Sequence, residues 1–244
     1  PTVIFSNESG AEQLFILERM AWSDQAATAA EVTALQMFRD LFANEALRPG
    51  ERISVGSLTV LFTDLRDSTR LYRESGDAVA FGRVLDHYDV LRAAIREEEG
   101  ALVKTIGASV MAVFQRPVQA LRAVFHAQAV LANPPAGRLA LRLKAGIHAG
   151  PCVAVTLNER LDYFGSTVNL AARLEGVSAT RSGVVVSGAV IEDPEVAEWV
   201  RQTGAGWEAF TATVKGFDDG PMALWTVMPA SAATPPQAAQ VTHD

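Results

Sequence analysis

The chain has 244 residues, room for one large domain or one domain with an appendage, and its 49% hydrophobic and 20% charged residues place it in the ordinary soluble globular class. With 21 basic and 28 acidic residues the net charge is −7, which argues against nucleic acid or an anionic membrane as a general partner and requires any polyanionic ligand to find a locally basic site. The single cysteine, Cys152, excludes an internal disulfide; with no run of about 18 apolar residues and no signal peptide, a cytoplasmic location is expected.

Pro1 leads straight into strand-like residues, which reads as a fragment of something longer. Residues 1–22 carry two extended runs, Thr2 to Ser6 and Gln13 to Leu17, separated by Asn7-Glu8-Ser9-Gly10. A lone hairpin is marginally stable, so this one is expected to belong to a missing upstream domain or to dock on a neighbour. Residues 23–50 read as a connector helix. Ser23-Asp24 can cap it, Val32, Leu35, Phe38 and Phe42 recur at helical spacing, and Pro49-Gly50 ends the pattern after about Leu47. It serves equally as a linker or dimer stalk, or as a helix packed on its own domain.

From residue 51 to 228 strands and helices alternate. Ser57 to Thr63 is a strand, and Ser68 to Glu98 is helical with an interruption near Gly76-Asp77. Ala101 to Phe114 reads as a hairpin turning at Gly107, with Lys104 inside its first strand, where a cation is normally unwelcome. A helix follows from Pro117 to about Leu131, its proline suited to the first turn. Leu139 to His148 and Cys152 to Thr156 are expected to pair around Gly150-Pro151, with Cys152 buried. Next come a helix from Ser166 to about Ser178, a strand at Gly183 to Ser187, and closing strands at Thr211 to Lys215 and Met222 to Met228. Residues 229–244, dominated by Ala, Pro, Gln and Thr, are expected to be a disordered tail. This order predicts an α+β fold, a central and mostly antiparallel sheet flanked by helices.

Asp64 follows the apolar run Val60-Leu61-Phe62-Thr63 and precedes a helix, which fits a helix cap or a carboxylate placed to hold a divalent ion beside a phosphate-receiving helix N-terminus. Asn169 and Arg173 lie four apart, on one helix face, opposite an apolar stripe of Val168, Leu170, Ala171 and Leu174. A guanidinium there suits bidentate phosphate contact. Read plainly, such a pair is a wetted surface, Asp162 a solvated loop residue, and Lys215 an exposed strand end. His148, between Ile147 and Ala149, reads as a satisfied core histidine rather than a catalyst.

Taken together, LFTDLRDST around Asp64, VKTIGASVMAVF around Lys104, GIHAGP at 146–151 and LDYFGSTVNLAARLEG at 161–176 resemble the catalytic domain of class III nucleotidyl cyclases. The resemblance covers roughly Ser57 to Met228, with the blocks in order, and the preceding segment resembles the linker of bacterial cyclases that carry a further upstream domain. It implies a ferredoxin-like core and conversion of ATP to cyclic AMP and pyrophosphate on two Mg²⁺ or Mn²⁺ ions, in the service of signal transduction. It assigns Asp64 and the Leu65 carbonyl to metal, Lys104 and Asp162 to adenine, Asn169 and Arg173 to ribose and reacting phosphate, and Lys215 to the terminal phosphates. Adenine presents a donor where guanine has an acceptor, so a Lys/Asp pair favours ATP.

Two positions depart from the family pattern. Ala108 stands where the second metal-binding aspartate is expected, and a methyl group cannot ligate a cation. Asp67 stands where the family usually has glycine, either as a carboxylate opposing the triphosphate or as a substitute ligand. Low or absent activity is therefore expected, whether Ala108 arose in the laboratory or by drift. In such cyclases the sites form across a head-to-tail dimer, metals from one chain and base and ribose residues from the other. A homodimer is thus implied, or a heterodimer in which an intact partner supplies both aspartates. A catalytically dead nucleotide-binding or dimerisation module is the rival, and a purely structural dimerisation domain, with Lys104 and Asp162 simply pairing, is the third reading.

Overall fold

The run from Leu58 to Phe62 is interrupted by a single polar residue, Thr59, which is what a strand covered on both faces requires. In the computed structural model, which describes residues 26–42, 45, 47–48, 51–67, 71–73, 76–135, 138–158, 160–181 and 183–230, this run is the centre of β1 (Arg52–Leu65). Val55, Leu58 and Val60 enter one core cluster, while Leu61 and Leu65 enter another on the opposite face. The remaining elements are α1 (Ala29–Thr33), α2 (Gln36–Phe42), α3 (Asp77–Glu97), β2 (Ala101–Ile106), β3 (Ser109–Phe114), α4 (Pro117–Ala132), β4 (Leu143–Leu157), β5 (Arg160–Phe164), α5 (Ser166–Ser178), β6 (Val184–Ser187), α6 (Gly188–Ile191), α7 (Pro194–Thr203), β7 (Gly206–Val214) and β8 (Phe217–Met228).

These strands form one sheet in the order β2-β3-β1-β4-β6-β8-β7, with β5 paired to β4. Every pairing is antiparallel except β4 with β6, so the expected α+β architecture is the one observed. Helices α3 and α4 bury Val84, Leu91, Ile95, Leu121 and Val124 on one face. α7 stacks outside them through Phe125 and Trp199, whose rings lie 5.4 Å apart. The opposite face is covered by α1, α2, β5 and α5. There α5 approaches β4 so closely that a side chain at Gly146 would press on the α5 backbone, 2.6 Å from the Ala171 carbonyl oxygen.

Three expectations need correction. The connector is not one helix from about Asp24 to Leu47 but two short ones. Thr28 caps α1 through a capping box with Glu31, and α1 ends at Ala34, where the chain turns so that α2 can dock on β2 and β5. β1 is longer than Ser57 to Thr63, because a register shift between Ser54 and Gly56, with Gly56 at φ 75°, carries it past a bulge. Gly150-Pro151 is not a turn: it lies inside β4, Pro151 opposite Ser57 and next to that bulge, and the reversal comes later, where Leu157 pairs with Arg160. Residues 1–22, most of the predicted tail and Glu159 fall outside the described residues, as does the start of the predicted Ser68 helix. Among the described residues no helix is long and apolar enough to cross a membrane.

Candidate functional site

Strand register puts the predicted residues on one face. Lys104 lies opposite Met111 and Met111 opposite Phe62, so Lys104 shares its face with Phe62 and, two residues on, with Asp64. β5 brings Asp162 over the same face. The Lys104 Nζ and Asp162 Oδ2 atoms are 2.5 Å apart, an ion pair whose aspartate side chain is 9% exposed and whose lysine is 35% exposed. Its second oxygen accepts the Tyr163 backbone N–H at 2.8 Å, so the carboxylate is fixed from both sides. The ring of Phe164 lies 6.0 Å from the ammonium. Lys104 is therefore explained as a strand cation by a partner 58 residues away.

The other end of the face carries Asp64, opposite Lys144 in the β1–β4 register. The Lys144 ammonium lies 2.8 Å from Asp64 Oδ2 and 3.1 Å from Glu175 Oε1 on α5. Burial works against its charge, but the two carboxylates outweigh burial and hold it above the usual lysine range. Arg66 braces the same corner: its guanidinium donates to the Ser178 and Ala179 carbonyls at 2.7 and 2.8 Å and to Arg181, where the C-terminal end of α5 favours a cation.

The hairpin turn opposite is Gly107-Ala108, with Ile106 paired to Ser109 and Gly107 at φ 60°, the conformation glycine supplies. The Tyr88 hydroxyl donates to the Gly107 carbonyl from beneath, and burial is the main reason its phenol is held above the usual range. Ala108 is packed against the α3–α4 core and offers no donor atom. Asp67 has φ 55°, a left-handed backbone that glycine would adopt more easily, and its side chain forms no hydrogen bond or ion pair among the described residues. No group of three or more His, Cys, Asp or Glu side chains gathers among the described residues. One carboxylate already bound by an ammonium does not fit a pair of divalent ions.

Asn169 and Arg173 are exposed on α5, and their side chains make no hydrogen bond or ion pair among the described residues. Lys215 is exposed in the two-residue turn joining β7 to β8, at the far edge of the sheet from β2; no described contact brings it to the other site residues. His148 is half-buried with Nδ1 2.6 Å from the Ser187 hydroxyl, and burial lowers its basicity; it is a partnered core group, as expected. Cys152 is buried, its thiol pushed up by burial to about 11. Sequence reasoning missed Lys144, Glu175 and Arg66. The signal for Lys144 was present: like Lys104, it is a lysine within an otherwise apolar strand.

A family model described as the adenylate and guanylate cyclase catalytic domain matches residues 51–195. The chain belongs to this family. It is 30% identical over 151 residues to adenylate cyclase 1 of Rhizobium meliloti, covering 55% of this chain and 23% of that one. It is 32% identical over 169 residues to an uncharacterized protein of Mycobacterium tuberculosis, covering 67% and 39%. The cyclase domain thus spans well under half the length of these curated relatives. Among solved structures it is similar to adenylate cyclases from Trypanosoma brucei in their monomeric state, with TM-score 0.61 and 22% identity over 70% of this chain and 89% of that one. A guanylate cyclase domain from Catenaria anguillulae in complex with GTP gives TM-score 0.61 and 18% identity over 72% and 98%. At these identities the two structures speak for the fold, and adenylate and guanylate cyclases share it.

Proposed function

We propose that this cyclase domain is of the adenylyl type, binding ATP and built for its conversion to cyclic AMP and pyrophosphate, with turnover low or absent in assemblies made only of this chain. The observation that carries the reading is the Lys104–Asp162 pair. A strand ammonium and a mostly buried carboxylate, side by side, offer one donor and one acceptor to a purine edge. Adenine, with a ring-nitrogen acceptor beside an amine donor, complements that order; guanine, with its carbonyl, does not. The lysine side chain is 35% exposed, so an incoming base can reach the pair and exchange the internal contact for its own hydrogen bonds. That weighs against a purely structural role for the pair.

Around the base, Asn169 would orient the ribose, Arg173 would hold the α-phosphate region with its planar donor fork, and Lys215 would meet the terminal phosphates. In the reaction the ribose 3′ oxygen attacks the α-phosphorus, its proton is lost, and pyrophosphate departs. Divalent ions supply the charge neutralisation for that step in enzymes of this kind, and here the donor set does not fit them. A head-to-tail dimer would bring Asp64 of one copy to Lys104 and Asp162 of the next, and an intact partner could restore one full site. A second reading, a nucleotide-binding module without turnover, is favoured by the Lys144–Asp64 contact.

Calorimetric titration with non-cyclisable analogues of ATP and GTP tests the base assignment. The ATP analogue should bind about tenfold or more tightly than the GTP analogue, the factor carried by one or two charge-assisted hydrogen bonds. Equal affinities, or no heat with either at millimolar ligand, would sink it.

A further inference from the structure

The two strands that carry the base-reading pair are both gripped by the connector, which lies before the span matched by the family model. Arg39 of α2 is only 6% exposed, yet no carboxylate pairs with it among the described residues. Its guanidinium donates to the carbonyl of Leu161, the residue before Asp162, and more weakly to the Thr33 carbonyl at 3.4 Å. It also lies over the ring of Tyr163, the residue after Asp162, at 5.4 Å. The Tyr163 hydroxyl returns to the same Thr33 carbonyl at 2.8 Å. Asp162 is therefore bracketed on both sides by residues tied to α1 and α2.

The lysine strand is held as well. Gln36 Oε1 accepts the Leu102 backbone N–H at 2.8 Å, at the place where the β2–β3 register shifts between Leu102 and Lys104. Its Nε2 donates to Asp40 at 2.7 Å, which fixes the direction of the amide. A bulge re-aims the side chains that follow it, so the group that satisfies the bulged strand also bears on the direction of Lys104. Simple packing does not call for this chemistry: methionine would fill the Arg39 volume without burying a charge.

We infer that Arg39 and Gln36 are positioning residues for purine selection, holding Asp162 and Lys104 at the spacing that distinguishes adenine from guanine. This rests on the base-reading role proposed above. It assigns to the connector a part in substrate choice, exerted through backbone atoms next to the two side chains that touch the base.

The test uses Arg39→Met and Gln36→Met in the full chain, with Met37→Gln as a control, since Met37 is 75% exposed on the same helix. Affinities for the ATP and GTP analogues are measured beside hydrogen exchange of residues 101–106 and 160–164. Each of the two variants should lower the ATP-over-GTP ratio roughly 2- to 10-fold, the factor carried by one ordinary hydrogen bond, and speed exchange in those two strands. The control should alter neither. If Arg39→Met fails to fold, Gln36→Met carries the test. An unchanged ratio in a folded variant of a selective wild type overturns the positioning role and leaves the base assignment standing. A ratio that falls equally in the control overturns it too. A wild type indifferent to the base overturns the base assignment first, and this inference with it.

Discussion

Lys104 and Asp64 lie on one face of the same sheet and each meets an opposite charge, yet the two pairs leave the domain in different conditions. At the Lys104 end both partners belong to the proposed recognition chemistry, and the strands bearing them are fastened from outside by α1 and α2. At the Asp64 end the partner is Lys144, a group outside that chemistry, and it ties the carboxylate to Glu175 on α5. The first pair presents a donor and an acceptor to a ligand. The second spends the carboxylate on an internal cation, while the turn opposite supplies a methyl group. On the proposed reading, recognition and turnover, which need different residues, are separated within one domain.

The strongest way to break the contrast is to restore the absent ligand. Ala108→Asp should raise cyclic AMP formation with Mn²⁺ by about 100-fold or more, since loss of outer-shell partners alone costs roughly 10–100-fold and a direct ligand matters more. No rise would mean that Asp67 or Lys144 dominates. From the other end, Lys104→Met should weaken binding of the ATP analogue about 10-fold or more, a charged hydrogen bond contributing ~1.5–3 kcal/mol, while the GTP analogue changes little. An equal loss for both would show that Lys104 serves the phosphates instead.

The placement of the proposed base-reading end was legible in the sequence to a degree that of the Asp64 end was not, for a physical reason. Lys104, Asp162, Asn169 and Arg173 sit in motifs whose strand and helix periods fix their faces, and the proposal of a missing ligand at Gly107-Ala108 rests on residue type alone. The partners that decide how Asp64 behaves come from registers between distant strands: Lys144 reaches it only because β1 and β4 pair over nearly their whole length. That length was misjudged because Gly150-Pro151 has turn composition. The Gly56 bulge, which lies beside the pairing of Pro151 with Ser57, has no such signature. The split of the connector into α1 and α2 was hidden too, since its apolar spacing is helical throughout and the break serves docking onto β5.

A finer probe of the metal end is Lys144→Met. Its carboxylate partners are each about one-fifth exposed, between a surface pair and a buried one, so stability should fall by about 1–2 kcal/mol in urea denaturation. Added Mn²⁺ should recover part of that loss in the variant and none in the wild type; no difference between them would show that Lys144 does not compete with a cation for Asp64.

The smallest effect concerns His87, fully buried beneath this end, where desolvation holds its pKa below the ordinary value and only the Val84 carbonyl and the Asp64 charge pull the other way. The unfolded chain binds the proton that the folded chain refuses, so stability is full above the ordinary histidine value of about 6.5 and declines as pH falls below it toward the depressed value. Thermal melts of wild type and His87→Phe between pH 7.5 and 5, roughly the range that straddles that value, should show a shallower decline in the variant. Identical slopes would assign the acid sensitivity to other groups.

β2 is the outermost strand of its sheet, and such a rim ordinarily invites another chain to add itself. Gln36, by accepting the Leu102 N–H, closes one of its open pairing positions with a side chain, and α2 lies against the start of the strand. Trimming the protein back to residue 51, where the family match begins, would strip that guard, so shortened versions should self-associate through strand addition even where each molecule is correctly folded.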